Sequence, residues 1–135
     1  MKKVIIAVLV SGVLLFVLSL GMFYASIYLL PSITAEYLSV VFRNSGRADW
    51  LYYLHPFILS IALKWFWERY KGLFKGPVLL RAVEVALVYG IVALLPVLWL
   101  TYSVIDVSLS MVITWLVYGI IESFAAGIVF AKLNP

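Results

Sequence analysis

The last 21 residues, "WLVYGIIESFAAGIVFAKLNP", are apolar almost throughout, yet Glu122 stands in their middle. Lys64, Arg81 and Glu84 occupy similarly apolar stretches. Carboxylates and cations in such surroundings can hold a proton, an ion or a lipid headgroup. They can also simply tie helices together. A charge at the centre of a bilayer costs about 2.5–3.5 kcal/mol on the insertion scale, so each of the four is a candidate for function. His55 is the only histidine, and the chain has no cysteine. A single imidazole without a second nitrogen or sulfur ligand does not make a transition-metal site. His55 is left with hydrogen bonding near the outer interface, or with proton sensing. Neither a metal nor a cofactor is expected.

Depth sorts these residues. Glu122 precedes Lys132 by ten residues, roughly 15 Å along a helix, which puts it near mid-membrane. Glu84 follows Pro77 by seven residues, roughly 10 Å from one surface. Arg81, three residues before Glu84, can pair with it. Lys64, close to the end of its own segment, can snorkel toward water. All four belong to the inner half of the bilayer, where Glu122, Glu84, Arg81 and Lys64 form a candidate polar cluster. The simpler alternative is a local Arg81–Glu84 pair, a snorkelling Lys64, and a Glu122 that hydrogen-bonds across helices.

The elements that must position them are membrane spans. Of the 135 residues, 66% are hydrophobic and 12% charged, against about 25% charged in soluble domains. Mean hydropathy is +1.14. So little polar surface cannot coat a water-soluble globule. A span needs about 20 apolar residues, and four stretches qualify: 4–30, 50–67, 77–100 and 107–131. They form one membrane domain over 1–135. The opening "MKK" and apolar run resemble a signal peptide, but the run exceeds the roughly 7–15 residues of such a core. "MFYASI" is also a poor cleavage site, so an uncleaved span is expected.

Charge placement sets the orientation. With the amino terminus cytoplasmic, Lys2, Lys3, Lys64, Arg69, Lys71, Lys75, Arg81 and Lys132 fall inside, and only Arg43 and Arg47 outside. Both termini are therefore expected in the cytoplasm of a cell-membrane protein. Trp50, Tyr52, Tyr53, Trp99 and Tyr102 suit an outer aromatic belt; Trp65, Trp67 and Tyr70 suit an inner one. In the outer loop, "TAEYLSVVFRN" predicts a short interfacial amphipathic helix capped by Thr34, and "NSGRAD" a turn. Asp106 is expected to cap the fourth span. Pro56 fits the first turn of the second span, and Pro96 should kink the third.

Helices in lipid associate through small residues. Gly119, Ser123, Gly127 and Ala131 form one stripe on the fourth span. It serves either contact inside the chain or a homo-oligomer. The basic inner loop "ERYKGLFKG" attracts anionic lipid, so membrane lipids are the expected surroundings. No phosphate-cradling glycine loop, HExxH, GxSxG or CxxC is present. Neither a nucleotide nor a nucleic acid is an expected partner.

The second half, "VALVYGIVALLPVLWLTYSVID" leading into "WLVYGIIESFAAGIVFAKL", resembles small uncharacterised four-span membrane proteins of prokaryotes. In those, a Gly-containing third span ends near a proline, and an aromatic-Gly-x-x-Glu fourth span ends in Ala-Gly and a short basic tail. The resemblance covers about the last 60 residues. It implies no function and supports only a four-span bundle, and no functional residue is carried across.

The expected fold is all-α: an antiparallel bundle of four transmembrane helices with a short extracytoplasmic amphipathic helix. Three functions stay open: a non-enzymatic structural or accessory subunit, a binder or transporter of a lipid, proton or apolar small molecule, and a lipid-active intramembrane enzyme.

Overall fold

In a bilayer the backbone has no water to bond with, so an apolar chain must satisfy its own N–H and C=O groups, and a helix does so within one segment. The computed structural model of the chain describes residues 2–43 and 49–135; these are mostly helical, and no strand occurs among them. In order come α1 Lys2–Leu29, α2 Pro31–Glu36, α3 Asp49–Tyr70, α4 Val78–Tyr89, α5 Leu95–Val104 and α6 Leu109–Leu133; a π-helical turn, Gly90–Leu94, joins α4 to α5. Three continuous helices are long and apolar enough to cross a membrane: Lys2–Leu29, Val78–Val104 and Leu109–Leu133. α3 has 22 residues, but His55, Lys64 and its Trp and Tyr residues make it less apolar than these three. Val78–Val104 runs past the expected end at 100. There Thr101 and Ser103 fold their hydroxyls back onto the carbonyls of Val97 and Trp99, at 2.9 and 2.7 Å.

Several local expectations are corrected. The short helix after α1 is Pro31–Glu36, starting where the fixed φ of Pro31 suits a first turn. Thr34 lies inside it and donates to the Leu30 carbonyl instead of capping it. Beyond Glu36 the chain runs in turns, and the Tyr37 and Phe42 rings pack on Trp115. The cap of α6 is Ser108, whose Oγ accepts from the Met111 N–H at 3.1 Å; Asp106 is two residues too early. Pro56 is buried well inside α3, not in its first turn. Pro96 follows a π turn that includes Val92, the residue whose carbonyl its ring would strike in a regular helix. Most of the expected "NSGRAD" turn, with Arg47, lies outside the described residues.

α1 packs lengthwise on α3 and on α6, and α4 packs on α6. Neighbours run antiparallel. Ser11 meets Ser60 and Ser19 meets Tyr52 between α1 and α3. Ser19 meets Glu122 and Ser26 meets Tyr118 between α1 and α6. Leu94 meets Gly119 and Ala82 meets Gly127 between the third crossing and α6.

On α1 the buried face is Ala7, Ser11, Gly12, Leu15, Ser19 and Ser26. The large residues Leu9, Val13 and Val17 point away and stay 56–59% exposed. Lipid chains are as apolar as leucine, so helices gain by approaching closely over small residues rather than by hiding large ones. At Gly12 an added Cβ would lie 2.8 Å from the Phe57 ring, and at Gly127 it would lie 2.9 Å from the Ala82 backbone. Gly119, Ser123, Gly127 and Ala131 are all buried within the chain. An apolar core of Leu15, Leu59, Leu63, Trp67, Val85, Ala126 and Phe130 fills the interior toward the end that holds the 71–77 loop.

Candidate functional site

The polar interior begins with three serines on the packed face of α1. Ser11, Ser19 and Ser26 fall within about 80° of one another around a helix; Ser11 bonds to α3, and Ser19 and Ser26 bond to α6. Ser11 and Ser60 hydroxyls are 2.5 Å apart. Ser19 Oγ donates to Glu122 Oε1 at 2.5 Å. Ser26 and the Tyr118 hydroxyl share a hydrogen bond. Glu122 is only 5% exposed. Among the described residues no cation lies within ion-pair distance of it. Its role in the fold is a neutral-donor bond between α1 and α6. Interhelical bonds of this kind average about 0.6 kcal/mol, whereas stripping the partner from a buried acceptor costs about 1–3 kcal/mol.

The other three candidates lie at the end of the molecule that holds the 71–77 loop. Lys64 does not snorkel: it is 1% exposed, and its Nζ donates to Glu68 Oε1 at 2.5 Å, one turn along α3. Its ammonium also lies 5.3 Å from the Phe130 ring centre. Glu68 takes a second cation, Lys71, at 3.7 Å, and accepts from the Asn134 side chain. The Trp67 Nε1–H donates to the Asn134 carbonyl at 2.8 Å. Trp67, expected in the aromatic belt, is fully buried. These contacts clamp the end of α6 to the end of α3.

Arg81 and Glu84 do not form the expected pair. The Arg81 guanidinium stands 4.7 Å from the Trp67 ring centre, and among the described residues neither Arg81 nor Glu84 has an ion-pair partner. Arg81 Nε and Glu84 Oε2 are buried without a hydrogen-bond partner among the described residues. Glu84 lines an open groove of about 360 Å³ with Leu73, Phe74, Leu87 and Val88. No hydrogen bond or ion pair joins any two of Lys64, Arg81, Glu84 and Glu122 among the described residues.

At the opposite end the 31–42 segment clasps α6. Glu36 Oε1 accepts from the Ser108 backbone N–H at 2.6 Å, and the Trp115 Nε1–H donates to the Tyr37 hydroxyl at 2.5 Å. Burial pushes the Tyr37 phenol above its ordinary value, opposed by the Trp115 bond. Ile33, Val107, Met111 and Val112 make a small apolar core beneath it. His55 is exposed on α3. A second groove, of about 310 Å³ and wholly apolar, opens between α5 and α6 along Leu98, Trp99, Tyr102 and Ile113.

Sequence reasoning missed Glu68, Ser19 and Asn134. Glu68 had a readable signal, since it stands at i+4 from Lys64. The serines of α1 also had one, in their common helical face. Asn134 and Tyr37 had none, because their partners are 67 and 78 positions away.

Compared with known protein families, with characterised proteins and with solved structures, the chain shows no match.

Proposed function

We propose that this chain is a four-span membrane protein with both termini cytoplasmic, working as a structural or accessory subunit rather than as an enzyme or transporter. α3 supplies the second span in this reading: it has 22 residues, about 33 Å of helix, enough for a bilayer core. Its alternation with α1 and the excess of Lys and Arg at one end of the molecule support the orientation.

One observation carries the functional reading. The buried polar side chains at mid-depth are bonded to one another: Ser11 to Ser60, Ser19 to Glu122, Ser26 to Tyr118. A transport path needs a carboxylate that meets water or a cargo, whereas Glu122 is occupied by a neighbouring helix. The small-residue stripe of α6 is taken up inside the chain, so self-association would use another face.

Because the chain has no cysteine, Glu122→Cys gives a clean probe. In reconstituted protein it should label slowly with a water-soluble thiol reagent, and far more slowly than an Asp106→Cys control. Rapid labelling at position 122 would reveal an aqueous path and would replace the structural role with a conducting one.

A further inference from the structure

Two buried polar atoms on α4, Arg81 Nε and Glu84 Oε2, have no hydrogen-bond partner among the described residues. Native proteins rarely leave such groups unpaired, and each marks a place where a partner is missing. The two carry opposite charges and stand one helical turn apart, roughly 5–6 Å between Cβ atoms. Glu84 opens onto the groove formed with Leu73, Phe74, Leu87 and Val88. Arg81 stands behind the groove wall: its guanidinium covers Trp67, and Trp67 stacks at 5.8 Å on Phe74, which lines the groove. Glu84 lies six residues into α4, about 9 Å along its axis. In the membrane reading given above, on which this inference rests, that is the depth where headgroups give way to acyl chains.

We propose that this groove binds a phospholipid whose headgroup carries a primary ammonium. The ammonium donates to Glu84 and the phosphate accepts from Arg81, while one acyl chain lies along Leu87 and Val88. Charge complementarity selects this occupant. A single anionic headgroup would leave Glu84 facing like charge. A quaternary choline headgroup has the right charges but no N–H to donate, so it cannot satisfy Glu84 Oε2. A simple lipophilic cation would leave Arg81 unanswered. The zwitterion with N–H donors answers both atoms, and its phosphate–ammonium separation suits one turn of helix. Leu73 and Leu87, 74% and 51% exposed, offer the tail an apolar wall.

The test uses the full chain in nanodiscs of phosphatidylethanolamine, phosphatidylcholine and phosphatidylglycerol in equal parts with identical acyl chains. Native mass spectrometry then reads the lipids that stay bound. The expected result is retention of the ethanolamine lipid over the choline lipid by about tenfold, the order of one charge-assisted hydrogen bond. Glu84→Leu should bring that ratio to about one. Leu87→Trp, which fills the groove and leaves both charges, should do the same by an independent route. Asp106→Asn, a carboxylate removed at the other end, should leave the ratio unchanged. Equal retention of all three lipids by the unaltered chain overturns the proposal while leaving the membrane reading intact, as does a preference that survives both Glu84→Leu and Leu87→Trp. Failure of the chain to enter the discs overturns both.

Discussion

Gly127 of α6 lies against Ala82 of α4 so closely that a Cβ at position 127 would sit 2.9 Å from the Ala82 Cα. The obstacle is backbone, which cannot swing aside. Gly127→Ala should therefore push the two helices apart and cost about 1–3 kcal/mol, the usual range for overpacking. Gly119→Ala meets only the tip of Leu94, a side chain that can move, and should cost less. Gly21 has nothing within 4 Å, so Gly21→Ala should be neutral or stabilise by up to about 1 kcal/mol, the helix-propensity gain of alanine. Unfolding in detergent, followed by tryptophan fluorescence, gives the ranking. A Gly127→Ala variant as stable as the Gly21→Ala variant would mean that α4 and α6 do not meet there.

Ser19 and Glu122 should behave as donor and acceptor of one bond. Ser19→Ala leaves a buried carboxyl without its donor and should cost about 1–3 kcal/mol. Glu122→Gln keeps an acceptor for Ser19 and should cost less. Combining them gives a double-mutant cycle in which the two effects are less than additive. Full additivity would show that the residues do not interact.

The cap of α6 separates Ser108 from Asp106. Ser108→Ala should cost about 1 kcal/mol through loss of the bond from the Met111 N–H. Asp106→Ala should stay within about 0.5 kcal/mol. Amide exchange at Met111 is the local readout, and it should quicken only in the first variant.

Tyr37 links stability to alkaline pH. Burial raises its folded-state value above that of the unfolded chain, which is about 10. The folded state thus holds this proton more tightly. Its contribution is fully present below about pH 10 and is lost as pH rises through the folded value. Tyr37→Phe should lower stability at pH 8, since the Trp115 N–H loses its acceptor, and should flatten the decline above pH 10. Parallel denaturation curves at pH 8 and 11 for the two proteins check this. An identical alkaline decline in both would remove Tyr37 from the account.

Much of the architecture was legible in the chain because bilayer chemistry leaves few options. Long apolar runs with so few charges must become helices, and the runs at 4–30, 77–100 and 107–131 did so within a few residues. The stripe Gly119–Ser123–Gly127–Ala131 announced a close helix contact, since only small residues allow one in lipid. Caps were less readable. Ser108 and Asp106 are both good capping residues two positions apart, and the choice depends on where the preceding turn releases the chain.

The polar residues divide along the same line. Sequence alone determined how far Lys64, Arg81, Glu84 and Glu122 stand from the ends of their helices, because that follows from residue count at about 1.5 Å per residue. It could not determine what each one touches. Rotation of a helix about its axis and the identity of its neighbour arise from packing between segments far apart in the chain. Those decided that Glu122 meets Ser19 across 103 positions, that Lys64 turns to Glu68, and that Arg81 covers Trp67 and leaves Glu84 on an open groove.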